Sequence, residues 1–188
     1  MRDVLRIFIF VVLLLAIPYF VLAGRQHVDS SGLKISIPFG VKHDYENILV
    51  TRVVDGDTLK LETGERVRLI GIDTPEMHES EKLYRDARKT GRSVETIKAL
   101  GKKSYAFTKD LAENKHVRLE FDVERQDKYK RLLAYVYLKE SGVFVNAKII
   151  EEGFASLLTI PPNVKYSDLF LRLYQTAREN KRGLWKDK

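Results

Sequence analysis

The sequence predicts a β-rich α+β domain: a five-stranded Greek-key barrel carrying three helices, preceded by a hydrophobic N-terminal helix. Three observations predict it. Short strand-like runs, of which Thr58–Glu62 alternates, follow one another from Ile48, separated by turns bearing Gly and Asp, which is the pattern of a meander. A long helical segment then intervenes before two further strands. The opening two dozen residues are apolar and unlike everything after them.

The N-terminus sets Arg2 and Arg6 beside an apolar run from Ile7 to Ala23, broken only by Pro18 and closing on Val21-Leu22-Ala23-Gly24. A positive flank, an apolar stretch and a small-residue exit mark residues 1–24 as a signal peptide or transmembrane anchor. As a helix this run rises about 25 Å at ~1.5 Å per residue, the lower limit for a ~30 Å hydrocarbon core, so both outcomes stay open. Export is expected, with the domain secreted or anchored outside the cytoplasm. Residues 25–44 read as a linker and N-terminal extension, and 45–188 as the folded domain.

Within the domain, Ile48–Val54 is the first strand and turns at Asp55-Gly56-Asp57. Thr58–Glu62 is the second, and Thr63-Gly64-Glu65 turns into the third, Arg66–Ile72. The charge-dense stretch Thr74–Ser93 has no apolar period and reads as a long loop. Val94–Asn114 reads as a helix, with Ile97, Leu100, Tyr105, Phe107 and Leu111 toward the core and Gly101 weakening its centre. His116–Val123 and Leu132–Leu138 are the fourth and fifth strands. Asn146–Glu152 is a helix stopped by Gly153, and Ser167–Asn180 another with Ser167 as N-cap, after which Leu184-Trp185 folds back on the core. Five short antiparallel strands with an interposed helix are the order of an OB-fold barrel.

With 188 residues there is enough chain for one domain with a core, not two. No cysteine is present, which excludes thiol chemistry and cysteine-ligated zinc. Four scattered histidines argue against a histidine-built metal site, so any metal would be a hard cation held by oxygen. The formal charge is +7, of which Arg2, Arg6 and Asp3 account for one unit, and a basic small domain suits a polyanion.

Three islands carry chemistry. Each has a plain reading alone: Asp55-Gly56-Asp57-Thr58 as a hairpin turn, Arg68 through Asp73-Thr74-Pro75-Glu76 as a surface ion-pair cluster, and Asp127-Lys128-Tyr129-Lys130-Arg131 as a solvated charge run. On a regular strand Arg68, Ile70 and Ile72 share one face and Leu69 and Asp73 the other, unless a bulge at Gly71 re-aims them.

Taken in order and spacing, the three islands resemble the staphylococcal nuclease (thermonuclease) family, from about Val50 to Trp185, including Ala106-Phe107-Thr108 and Arg182-Gly183-Leu184-Trp185. The resemblance implies a Ca²⁺-dependent nuclease hydrolysing phosphodiester bonds of DNA and RNA. It assigns Asp57, Asp73 and the Thr74 carbonyl to the metal, Glu76 to the attacking water, and Arg68 and Arg131 to the phosphate. Lys128 and Tyr129 match positions that contact the substrate. A monomer is expected, with membrane attachment through residues 7–23 if the apolar run is retained. The alternative is a non-catalytic nucleic-acid-binding module on the same fold, but such a module would be expected to have lost some of these five catalytic and metal side chains, and none is lost. A remoter reading is a protein whose basic face serves anionic lipid. This chain departs from the family at Lys130 and Leu132, in lacking stacking tyrosines across Ser156–Pro162, and in a longer segment at 77–96. That segment carries Lys82, Arg85, Arg88, Lys89 and Arg92, read equally as backbone-tracking or as solvated charge.

Overall fold

The structure, a computed structural model, describes residues 44–186; the apolar segment 1–24 and all of the 25–44 extension except Asp44 lie outside the described residues. The strands are β1 (Ile48–Asp55), β2 (Thr58–Leu61), β3 (Arg66–Leu69), β4 (Gly71–Asp73), β5 (His116–Glu120), β6 (Leu132–Leu138) and β7 (Ser156–Leu158). The helices are α1 (Glu81–Thr90), α2 (Val94–Ala112), α3 (Val145–Glu151) and α4 (Ser167–Glu179), followed by a 3-10 turn at Gly183–Trp185.

Five strands close a barrel in the order β1-β2-β3-β6-β5. β1 serves two neighbours, meeting β2 along its length and β5 through Ile48 opposite Val117, and two register shifts let it bend between them. Val50, Val53, Leu59, Leu61, Val67, Leu69, Ala134 and Val136 are buried in the core. Full burial of each larger side chain stabilises by roughly 1.5–3 kcal/mol. The expectation of a wholly antiparallel barrel is corrected at one seam. β3 and β6 run parallel, with Val67 opposite Leu132 and Leu69 opposite Ala134. They are joined by a crossover through α1, α2 and β5, not by a hairpin, so the chain returns in the same direction.

The third strand does not run on to Ile72. Gly71 takes φ 84°, and a Cβ there would stand 2.4 Å from the Phe170 ring, so the chain turns sharply and β4 leaves the barrel to pair with β7. Leu69 and Asp73 therefore do not share a face. Buried Asn146 holds the break: its Nδ2 donates to the Ile70 carbonyl at 2.9 Å while its Oδ1 accepts from Val136 N at 2.9 Å.

Four α-helices lie among the described residues, not three, because α1 forms inside the expected loop. Ser80 Oγ accepts from Leu83 N at 3.1 Å, and Gly91 at φ 67° returns its N–H to the Ala87 carbonyl, so both ends are capped. One apolar side chain, Leu83, is fully buried and anchors the helix. α2 turns the expected Ile97, Tyr105, Phe107 and Leu111 to the core and adds a row of small buried residues between them. Its buried row is Ile97, Gly101, Ser104, Thr108 and Ala112, while Tyr105, Phe107 and Leu111 flank it partly exposed. Small residues let the helix axis approach β1 and the chain at Pro75–Glu76. α4 starts at Ser167, but the cap position belongs to Tyr166, which makes no side-chain cap bond. Leu184 and Trp185 are buried as expected.

Candidate active site

The β1–β2 turn is built to hold a carboxylate inward. Asp55 Oδ1 accepts from Asp57 N at 3.2 Å, and Thr108 of α2 donates its hydroxyl to the Gly56 carbonyl at 2.8 Å. Gly56 is required by contact: a Cβ there would lie 2.7 Å from Thr74 Oγ1. Asp57, only 6% exposed, reaches across to the segment after β4, where its Oδ2 accepts from Thr74 N at 3.0 Å and from Thr74 Oγ1 at 3.1 Å. One carboxylate thus ties the first island to the second.

Arg68 joins the same group from β3. Its Nη1 lies 3.0 Å from Asp57 Oδ2 and its Nη2 donates to Asp73 Oδ1 at 3.2 Å. The break at Gly71 makes this possible by swinging Asp73 back over Arg68. Glu76 follows, its backbone resting on α2 at Gly101. A residue that sequence reasoning left in a loop completes the cluster. Lys82 on α1 donates from Nζ to the Thr74 carbonyl at 2.9 Å and lies 3.0 Å from Glu76 Oε1 and 3.3 Å from Asp73 Oδ1.

Arg131 enters from the turn before β6. Asp127 accepts from its backbone N at 3.0 Å and from Nε at 2.7 Å, with Nη2 also 2.7 Å from the same carboxylate. Lys130 at φ 65° makes the tight turn that allows this. Together they line a cleft of about 820 Å³, to which Asp57, Arg68, Asp73, Glu76, Lys128 and Arg131 all contribute. Tyr129 does not line it. Its ring is exposed and lies 5.5 Å from the Arg131 guanidinium and 5.0 Å from Lys128 Nζ. Leu158 and Ile160, exposed apolar residues where stacking tyrosines are lacking, line the same cleft.

Burial dominates the electrostatics. It pushes the Asp55 carboxyl up to about 7, with the Asp57 charge adding to the rise. It also raises Asp73, against the pull of Lys82 and Arg68. For Lys82, burial opposes the charged form, but Asp73, Glu76 and Asp57 outweigh it and hold the ammonium above lysine's ordinary value. Asp127 shows the reverse balance: hydrogen bonds from Arg131 overcome burial and lower it.

Among the described residues no three His, Cys, Asp or Glu side chains converge on one point. The donor set still fits a hard cation. Asp73 and the Thr74 carbonyl already gather around a positive charge, the Lys82 ammonium, with Asp57 immediately behind and Glu76 beside. Two carboxylates, a carbonyl and water are the ligands such an ion takes. Gly56, Gly101 and Asp127 were present in the quoted motifs or helix, but only contact distances reveal what each does.

The family model described as "Staphylococcal nuclease homologue" matches residues 66–187, leaving Asp57 just upstream of the matched stretch. The chain is 38% identical over 143 residues to a thermonuclease of Staphylococcus intermedius, covering 74% of this chain and 76% of that protein. It is 35% identical over 172 residues to an uncharacterised protein of Methanocaldococcus jannaschii, covering 86% and 82%. Endonuclease YncB of Bacillus subtilis is 33% identical over 144 residues, covering 74% of this chain and 61% of the relative.

Proposed function

This chain belongs to the staphylococcal nuclease homologue family, and from that premise we propose that it is a Ca²⁺-dependent endonuclease hydrolysing phosphodiester bonds of DNA and RNA. The observation that carries the reading is the convergence of Asp57, Arg68, Asp73, Glu76 and Arg131 on one cleft from three separate stretches of chain. The relatives named thermonuclease and endonuclease support it.

Asp57, Asp73 and the Thr74 carbonyl would hold the cation. Bound there, Ca²⁺ supplies Lewis-acid polarisation of a phosphate oxygen. Glu76 takes the proton of the attacking water, a task for an ionised carboxylate within hydrogen-bond reach. The water oxygen bonds to phosphorus, the P–O ester bond breaks, and the departing oxygen is protonated from solvent. Arg68 and Arg131, which line the same cleft, neutralise the growing charge on the phosphoryl oxygens. Their planar forks suit that geometry. Lys128 contacts a neighbouring phosphate, and Tyr129, outside the cleft but against Arg131, packs the nucleoside. The apolar run at residues 7–23 supports action outside the cytoplasm, after signal cleavage or from an anchor.

The test is incubation of the full chain with DNA and with RNA, in Ca²⁺ or in chelator, from neutral to alkaline pH. Cleavage that chelator abolishes is expected with both substrates. Binding without cleavage at every pH would sink the reading and favour a non-catalytic module.

A further inference from the structure

Resting on the cation site of the proposed function, we propose that Lys82 is an internal competitor for that site, so that α1 sets the calcium concentration at which the protein becomes active. The Lys82 ammonium is not a surface charge near the cluster. It sits at the point where the cluster's oxygens meet, 2.9 Å from the Thr74 carbonyl, 3.0 Å from Glu76 and 3.3 Å from Asp73. A calcium ion takes its oxygens at about 2.3–2.6 Å, so an ion held by the Thr74 carbonyl and Asp73 needs the volume that Nζ fills. Like charge adds to the exclusion. Ammonium and divalent cation are alternatives.

The position of Lys82 is imposed by the fold. Ser80 and Gly91 cap α1, and the neighbouring Leu83 is fully buried, so the helix backbone is fixed over the cluster. The side chain itself can withdraw, having four rotatable bonds and a second acceptor on its own helix. Asp86 Oδ2, one turn on, is already 3.7 Å from Nζ and receives the displaced ammonium. Lys82 also pairs Glu76, the group assigned to the attacking water. A single side chain therefore withholds both the cation site and the base until calcium displaces it.

The experiment is calorimetric titration of Ca²⁺ into the full chain and into Lys82→Met and Lys82→Gln, without substrate. Both variants are expected to bind Ca²⁺ at least about tenfold more tightly than the parent, because neither must expel a charge to admit the ion. Thermal melts give a second readout. In chelator the variants melt below the parent, since the carboxylates lose their counter-ion, and saturating Ca²⁺ closes or reverses the gap. Affinities equal to the parent's, or weaker in both variants, overturn the competition while leaving the cation site standing. Absence of Ca²⁺ binding in all three proteins overturns the cation site and the competition together.

Discussion

Gly101 and Glu76 are in backbone contact: a Cβ on Gly101 would lie 2.6 Å from the Glu76 carbonyl carbon and oxygen. The helix interior gives up the better propensity of alanine at this point, about 1 kcal/mol, so that the chain carrying Glu76 can lie directly on α2. Gly101→Ala must move that chain. The expected outcome is a fall in kcat of about a hundredfold, from misplacement on the order of 1 Å, with a smaller effect on melting. Steady-state kinetics beside a thermal melt check it; unchanged kcat in a folded variant would show that the contact does not position Glu76.

Asp55 gives a pH dependence with a definite sign. Its folded pKa of about 7 lies above the ordinary value of 3.8, so between those limits the folded chain binds more protons than the unfolded one. Its contribution to stability is complete at low pH and drains away as pH rises from about 3.8 through 7. Asp55→Asn, which keeps an oxygen for the Asp57 N–H, should flatten that part of the stability curve. Urea unfolding in chelator across the window checks it. A variant whose curve parallels the parent's contradicts the assignment.

Arg131 is held by two side-chain contacts to one Asp127 carboxylate and is aimed by the Lys130 turn. A lysine cannot reproduce a planar fork. Arg131→Lys should lower kcat/KM by about one hundredfold, roughly the worth of one lost transition-state hydrogen bond of this kind, and leave folding intact. A loss of only a few fold would mean that charge alone suffices there.

Much of the domain was legible because barrel strands advertise themselves. Ile48–Asp55 and Leu132–Leu138 are short runs rich in β-branched and aromatic residues, Thr58–Leu61 alternates, and the turns carry Gly and Asp. The cleft was legible in its charged members because Asp57, Arg68, Asp73, Glu76 and Arg131 are spaced as a family pattern. α1 was not, because a helix with one buried apolar residue leaves no periodic stripe; its signals were the caps Ser80 and Gly91. On α2 hydrophobicity picks out Ile97 and the flanking Tyr105, Phe107 and Leu111, which do pack on the core, but not the fully buried Gly101, Ser104 and Thr108, which close approach selects. Lys82 follows from α1: without the helix, nothing in the sequence brings its ammonium to Thr74.

The most direct measurement is the initial rate of DNA hydrolysis by full-chain Glu76→Gln in saturating Ca²⁺, set against the parent at equal folded fraction. Glutamine keeps the size of the side chain but cannot take a proton. The rate is expected to fall by about 10²–10⁴-fold, the usual worth of a positioned general base. Hydrolysis at a rate within a few fold of the parent's would contradict the claim that this cleft performs the reaction through Glu76.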